Sequence, residues 1–246
     1  MRLISPEAQQ QAQRAYYAKT AQSYDLAHIS KSDCHQFALA WLRGTIELLG
    51  IRSILDIGSG TGRALLTLKQ AFPDLKVVGL EPSRELREIG YEKGLDQTEL
   101  IDGNVLDLDF QSGSFDIVTE FGTLHHVPDP RRAVDEMLRV ARVGIFMSDC
   151  NNFGQGGTSA RVIKHTIRNL GLWKLFDRLR TRGKGYHVSE GDGLYYSYSV
   201  FDNYRQIANL CPSVHVMNTL PAGINPLFSS PEVALLGLKE QMIYSA

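Results

Sequence analysis

The chain has 246 residues, 43% of them hydrophobic, with 26 Lys and Arg, 27 Asp and Glu, and a formal net charge of −1. That length suits one domain, at most with a small elaboration, and the apolar share can bury a substantial core. Near-neutrality excludes a global pull toward nucleic acid, while three cysteines without a C-x-x-C (Cys34, Cys150, Cys211) suit a reducing compartment and exclude a disulfide scaffold or zinc site.

Met1 to Glu7 turns polar at once and no run approaches the ~20 apolar residues of a membrane span, so a soluble cytoplasmic protein without a signal peptide is expected. Pro6 behind Ser5 opens a first helix that runs to about Ala21. Ser32 is expected to cap a second, with Phe37, Trp41, Ile46 and Leu49 on one face and Gly50 ending it. From Ser53 strands are predicted at 53–57, 75–80, 98–102, 115–120 and 144–149, separated by helices at 62–71, 83–93 and 131–141. Alternation of this kind predicts an α/β fold, a parallel sheet with helices on both faces and a ligand site at the C-terminal strand ends. After Asp149 the rhythm breaks: a glycine- and amide-rich loop, a helical stretch from Ser159 to Arg180, and a glycine- and tyrosine-rich segment from Gly183 to Tyr198. A helix from Phe201 to Leu210 and strands at 213–219 and 233–239 follow. No repeat or low-complexity tract is present.

Asp56-Ile57-Gly58-Ser59-Gly60-Thr61-Gly62 sits at the first strand-to-helix turn, where glycines let a ligand approach the backbone and the helix N-terminal N–H groups. A dinucleotide fingerprint G-x-G-x-x-G needs glycine at position 63; the chain has Arg63 there and Gly62 one place earlier. Glu81, followed by Pro82 and Ser83, ends the second strand 21 residues after Gly60, close to the ~20-residue offset at which a carboxylate meets ribose hydroxyls. Gly103-Asn104-Val105 and Gly113-Ser114-Phe115-Asp116-Ile117-Val118 follow, then Leu124-His125-His126-Val127. In this order the segments resemble those of class I S-adenosylmethionine-dependent methyltransferases, the small-molecule type 11/12 group. The match covers Ile54 to about Asp149. It departs at Asn104, where the family has Asp, and at Asp109, where it has Pro. Asn104 still accepts through its side-chain carbonyl.

The resemblance implies a Rossmann-like, seven-stranded, mainly parallel sheet with an antiparallel final hairpin. It divides the chain into N-terminal helices (1–50), a cofactor-binding core (51–150), a substrate cap (151–200) and a C-terminal helix with strand hairpin (201–246). The cofactor it implies is S-adenosylmethionine. Asp56, Gly58, Ser59, Gly60, Gly62, Glu81, Pro82, Ser83, Asn104, Val105, Glu120 and Phe121 are the implied contacts. Ala21-Gln22-Ser23-Tyr24-Asp25 resembles the A-x-x-Y-D element of the same family, which puts Tyr24 over the pocket; ordinary packing of an amphipathic aromatic is the other reading. Thr119-Glu120-Phe121-Gly122 lacks the prolines and terminal aromatic of amide methyltransferases, which disfavours a planar exocyclic amide as acceptor.

Methyl transfer to an alcohol benefits from a base within hydrogen-bond reach. His125 and His126 follow the fourth strand and Asp149 ends the fifth; as neighbours, these strand ends would let a histidine–carboxylate pair form over the methyl group. Alternatively, the histidines cap the turn and Asp149 only binds backbone. No metal is expected. Arg161 to Lys184 holds eight Lys and Arg and one acid, Asp177, with Leu172, Leu175, Phe176 and Leu179 at helical spacing. It reads either as a packed cap helix with a solvated basic face or as an attractor for an anionic or lipid-linked substrate. The function expected is methylation of a small-molecule or glycan-like acceptor, with O-methylation favoured. N- or C-methylation of a small metabolite, or a non-catalytic cofactor-binding module, stands as the alternative.

Overall fold

Ser5 accepts the Ala8 N–H at 3.3 Å and Pro6 occupies the first turn, so helix α1 (Pro6–Thr20) starts where the sequence places it. The computed structural model describes residues 5–29, 33–220 and 225–240. A 3₁₀ turn leads into α2 (Tyr24–His28). Helix α3 (Cys34–Leu49) is capped by Asp33, which accepts the Gln36 N–H at 2.8 Å; Ser32, the expected cap, lies outside the described residues. Gly50 ends α3 in the left-handed conformation, φ 61°.

The alternating region then runs β1 (Ser53–Ile57), α4 (Arg63–Ala71), β2 (Lys76–Leu80), α5 (Arg84–Glu92), β3 (Leu100–Ile101), β4 (Phe115–Phe121), α6 (Pro130–Val140) and β5 (Ala141–Cys150). Beyond it lie α7 (Thr158–Asn169), α8 (Trp173–Arg180), the short hairpin β6 (His187–Ser189) and β7 (Gly193–Tyr195), α9 (Tyr204–Ala208), β8 (Ser213–Asn218) and β9 (Glu232–Leu238). Seven strands form one sheet in the order β3-β2-β1-β4-β5-β9-β8, with β9 antiparallel to both neighbours. This is the expected mainly parallel sheet with an antiparallel final hairpin.

Both faces are covered, so the central strands are apolar without strict alternation. Leu55, Ile57, Val118, Ile145 and Met147 pack under α6. Ile54, Ile117 and Phe146 point the other way, among Leu39 and Leu42 of α3 and Leu65 and Leu68 of α4. Strand order reverses between β1 and β4, so their C-terminal ends open a crevice, the usual ligand position in such sheets.

Three stretches differ from expectation. The helix read over 159–180 breaks at Gly171, φ 72°, into α7 and α8. The glycine- and tyrosine-rich segment folds into the β6–β7 hairpin, and the helix read at 201–210 shortens to a 3₁₀ turn followed by α9. Among the described residues no helix is long and apolar enough to cross a membrane.

Candidate active site

The turn after β1 is pinned beneath β2: the Gly58 and Ser59 N–H groups donate to the Leu80 carbonyl at 2.7 and 3.1 Å. Gly58 and Gly60 have φ of 67° and 55°, and both are crowded from above. A Cβ on Gly58 would stand 2.2 Å from Thr123 Oγ1, and one on Gly60 would stand 3.0 Å from the Tyr24 hydroxyl. Tyr24 therefore lies over the glycine turn, as its sequence context implies. Gly62 does not join them. A Cβ there would meet Leu95 Cδ1 at 2.1 Å, so Gly62 lets the start of α4 pack closely on Leu95.

Glu81 is buried at the end of β2, where its Oε2 accepts the Gly60 N–H at 2.9 Å and its Oε1 accepts the Ser83 N–H at 2.7 Å. Burial pushes its carboxyl up to about 7 against these two hydrogen bonds. Two lone-pair sites remain on the carboxylate, the number a ribose diol needs. Glu81, Pro82, Ser83, Asn104, Val105 and Phe121 line one cavity of about 110 Å³ with Gly58 and Tyr24. Asn104 Oδ1 already accepts the Leu106 N–H at 3.0 Å and keeps one lone pair for an amino group. Asp56 and Ser59 face a second, larger cavity of about 690 Å³. Asp56 Oδ1 accepts the Thr119 hydroxyl at 2.7 Å, the Ser59 hydroxyl donates to the Asp56 carbonyl at 2.8 Å, and burial pushes the Asp56 carboxyl up to about 6. Glu120 lines neither cavity. It is fully buried, with Oε2 accepting the Thr123 N–H at 3.0 Å and Oε1 without a hydrogen-bond partner. Burial, followed by the Asp149 charge, holds its carboxyl far above the usual range. The donor set as a whole (a ribose-ready carboxylate, apolar walls, a bare glycine backbone) fits an adenosine-bearing cofactor.

Because β4 and β5 are adjacent, the 3₁₀ turn Leu124–His126 lands on the end of β5. Asp149, almost fully buried, holds that turn with both oxygens. Oδ2 accepts the N–H groups of Leu124 and His125 at 2.9 and 3.2 Å, while Oδ1 accepts that of Cys150 at 2.6 Å and faces His125 Nδ1 at 2.7 Å. Asp149 thus binds backbone and contacts the His125 ring at once. His125 Nδ1–H donates to Asp149, which turns Nε2 toward the larger cavity.

The roof of that cavity, the β6–β7 hairpin, adds a further carboxylate to it. Asp192, in the turn of the β6–β7 hairpin, places Oδ2 3.5 Å from His125 Nε2 and Oδ1 3.2 Å from His126 Nε2. Burial opposes charge on His125, yet Asp149 and, after it, Asp192 hold its pKa well above the ordinary histidine value. Asp149 is held down to about 2 by the facing His125, against its own burial. His126 is lowered by burial and by the charge on His125. Its Nδ1 pairs with the Leu194 carbonyl at 2.6 Å and its Nε2 meets the Tyr17 hydroxyl at 3.1 Å. Gln13 of α1 stitches this roof together, donating to the Asp192 carbonyl at 3.0 Å and accepting the Leu194 N–H at 2.5 Å. Gly193, φ 69°, is required there: a Cβ would stand 2.5 Å from Gln13 Oε1. Glu232 on β9 also lines the cavity, pushed up to about 8 by burial and Asp149. Tyr17, Gln13 and Glu232 escape sequence reading, as does the meeting of Asp192 with the histidines, because these contacts depend on pairings across most of the chain. Ligand atoms of His125, His126 and Asp192 lie within 4.8 Å of one another, close enough for one cation, though the ion pairs account for their arrangement without one.

Residues 55–147 match the family model of the methyltransferase domain. The demethylmenaquinone methyltransferase of Bacillus cytotoxicus is 32% identical over 136 residues, 52% of this chain and 56% of that protein. That of Oceanobacillus iheyensis is 33% identical over 113 residues, 43% and 48% of the two chains. The chain thus spans about half the length of the curated relatives it matches. Among solved structures, a SAM-dependent methyltransferase of Thermotoga maritima, described as a possible histamine N-methyltransferase, is similar with a TM-score of 0.54 at 18% identity, covering 92% of this chain and 99% of that one. A putative S-adenosylmethionine-dependent methyltransferase of Methanococcus maripaludis gives 0.53 at 18% identity over 93% and 96%. These two share the fold.

Proposed function

We propose that the chain is a class I S-adenosylmethionine-dependent methyltransferase that methylates a hydroxyl of a small-molecule or glycan-like acceptor, with His125 as the base. The observation that carries this reading is the His125–Asp149 pair, 2.7 Å apart, at the rim of the 690 Å³ cavity and beside the glycine turn. S-adenosylmethionine, when bound, supplies a sulfonium-activated methyl group. Glu81 would hold the ribose hydroxyls and Asn104, Val105 and Phe121 would hold the adenine, since they line one cavity.

Asp149 fixes the tautomer of His125, so that Nε2 of the neutral ring is the accepting atom. The acceptor hydroxyl would donate to Nε2, and His125 would take its proton as the methyl group passes to the oxygen and the sulfonium's S–C bond breaks, leaving a neutral thioether. Asp149 stabilises the resulting imidazolium. Such a positioned base contributes roughly 10²–10⁴ in rate. Asp192 stands at the place the hydroxyl must take, so the β6–β7 hairpin yields when the acceptor enters.

A second reading follows from the names of the relatives: a demethylmenaquinone-like acceptor methylated on its ring, for which His125 would deprotonate the phenolic hydroxyl. Labelled S-adenosylmethionine, screened against nucleotide sugars, glycans, phenols and quinols, separates the two. Label on oxygen, reduced at least a hundred-fold in His125→Ala, supports the first reading. Label on carbon or nitrogen replaces it, and no transfer to any acceptor leaves a cofactor-binding module.

A further inference from the structure

Helices α7 and α8 are amphipathic, yet neither buries a single residue. Leu172, Leu175, Phe176 and Leu179 recur at i, i+3, i+4 and i+7, one stripe of a helix. Part of that stripe is tied down, since Trp173 stacks edge-on against Phe153 and Phe176 lies against Trp173. The rest stands in solvent: Leu179 is 71% exposed, Leu175 59% and, at the corner between the helices, Leu170 66%.

The charges around it are one-sided. Eight Lys and Arg lie between Arg161 and Lys184 against Asp177 alone. Asp177 is already engaged by Arg180 at 3.2 Å and by the Ser197 hydroxyl at 2.5 Å, so it offsets nothing outside. Among the described residues, Lys174, Arg178, Arg182 and Lys184 pair with no acid; Lys174 and Arg178 each precede a leucine of the exposed stripe.

We infer that the α7–α8 face docks on a negatively charged membrane surface, with Leu170, Leu175 and Leu179 in the headgroup–acyl boundary and Lys174 and Arg178 on the anionic headgroups. An apolar stripe flanked by long cations is what such a surface takes up. A second copy of the chain would bring like charge against like. A nucleic acid would satisfy the cations and leave the leucines in water. Arg180, at the end of α8, lines the larger cavity together with Tyr196 and Ser197, so the docked face lies beside the acceptor's entrance. Docking goes beyond the methyl-transfer reading and is measured without it, so either can fail alone.

The test is co-sedimentation of the full chain with vesicles of phosphatidylcholine alone or mixed with phosphatidylglycerol. The protein is expected to pellet with the mixed vesicles only and to be released by raised salt. Lys174→Ala with Arg178→Ala should weaken binding about 30-fold, from roughly five-fold per basic residue at an anionic surface. Leu175→Asp with Leu179→Asp should abolish it, with circular dichroism confirming that both double variants remain folded. Failure to pellet with the mixed vesicles overturns the proposal. So does undiminished binding by either double variant, or a preference for an oligonucleotide or for self-association in sedimentation velocity.

Discussion

Asp192→Asn removes one negative charge from the roof while keeping the size of the side chain. His125 then loses a carboxylate 3.5 Å from Nε2 and keeps Asp149 on Nδ1. At an effective dielectric of about 20 that charge pair would be worth about 5 kcal/mol. The Asp192 side chain is 37% exposed, however, so solvent screening brings the interaction close to its bulk-water limit of about 1 kcal/mol. At about 1.4 kcal/mol per pH unit, the pKa of His125 should fall by about one unit. The sign follows from the charge: with less negative potential the imidazolium is less stable, so the neutral ring persists to lower pH. A carbon–proton NMR titration of the histidine Cε1–H groups, assigned with His126→Gln, reads this without any acceptor. If transfer is assayed as well, the acid limb of its pH profile should move down by the same amount. An unchanged or raised His125 pKa in Asp192→Asn would refute the view that the hairpin carboxylate holds the proton on His125.

Glu81→Ala should weaken S-adenosylmethionine binding by about 1.5–3 kcal/mol, the scale of hydrogen bonds to a charged group, in calorimetry on a folded protein; unchanged affinity removes Glu81 from the ribose site. Asp149→Asn should lower thermal stability and turnover together, because an amide NH₂ would face either the Leu124 and His125 N–H groups or that of Cys150. At ~1–3 kcal/mol for each unsatisfied donor, a loss of about 2–5 kcal/mol is expected in denaturant unfolding, and a value near zero would mean the site relaxes around it. Chelator treatment should leave transfer intact; loss restored by a divalent cation would reassign His125, His126 and Asp192 from an ion-pair cluster to a metal centre.

The sheet was legible because its signals are local. A short apolar run, a glycine turn and a helical period recur in order, and β1, β2 and β4 fall within about a residue of where those signals put them. The carboxylate of Glu81 and the approach of His125 to Asp149 were legible for a related reason, since strand ends are fixed by strand order. Gly62 shows what the pattern leaves out: the sequence marks a glycine turn, but the packing of Gly62 on Leu95, 33 positions away, comes only with the fold. The segment between β5 and α9 was least legible. Gly171 turns one helical pattern into two, and Asp192 reaches the histidines only because Gln13 and Gly193 set the height of the hairpin.

That seam between α1 and the β6–β7 hairpin has a consequence for time scales. It is closed largely by polar links: Gln13 to Asp192 and Leu194, Tyr16 to the Glu190 carbonyl at 2.7 Å, and the Tyr196 hydroxyl to Gln9. At a net ~1 kcal/mol per bond, parting four such links costs about 4 kcal/mol, below the ~5–15 kcal/mol that keeps a whole domain folded. The amide of Leu194, bonded to Gln13, should therefore exchange with deuterium through a partial opening, while those of Ile117 and Phe146 wait for the whole sheet to unravel. Solutes would then come and go at the tempo of a breathing lip, set by hydrogen bonds the solvent competes for, with the sheet below standing still.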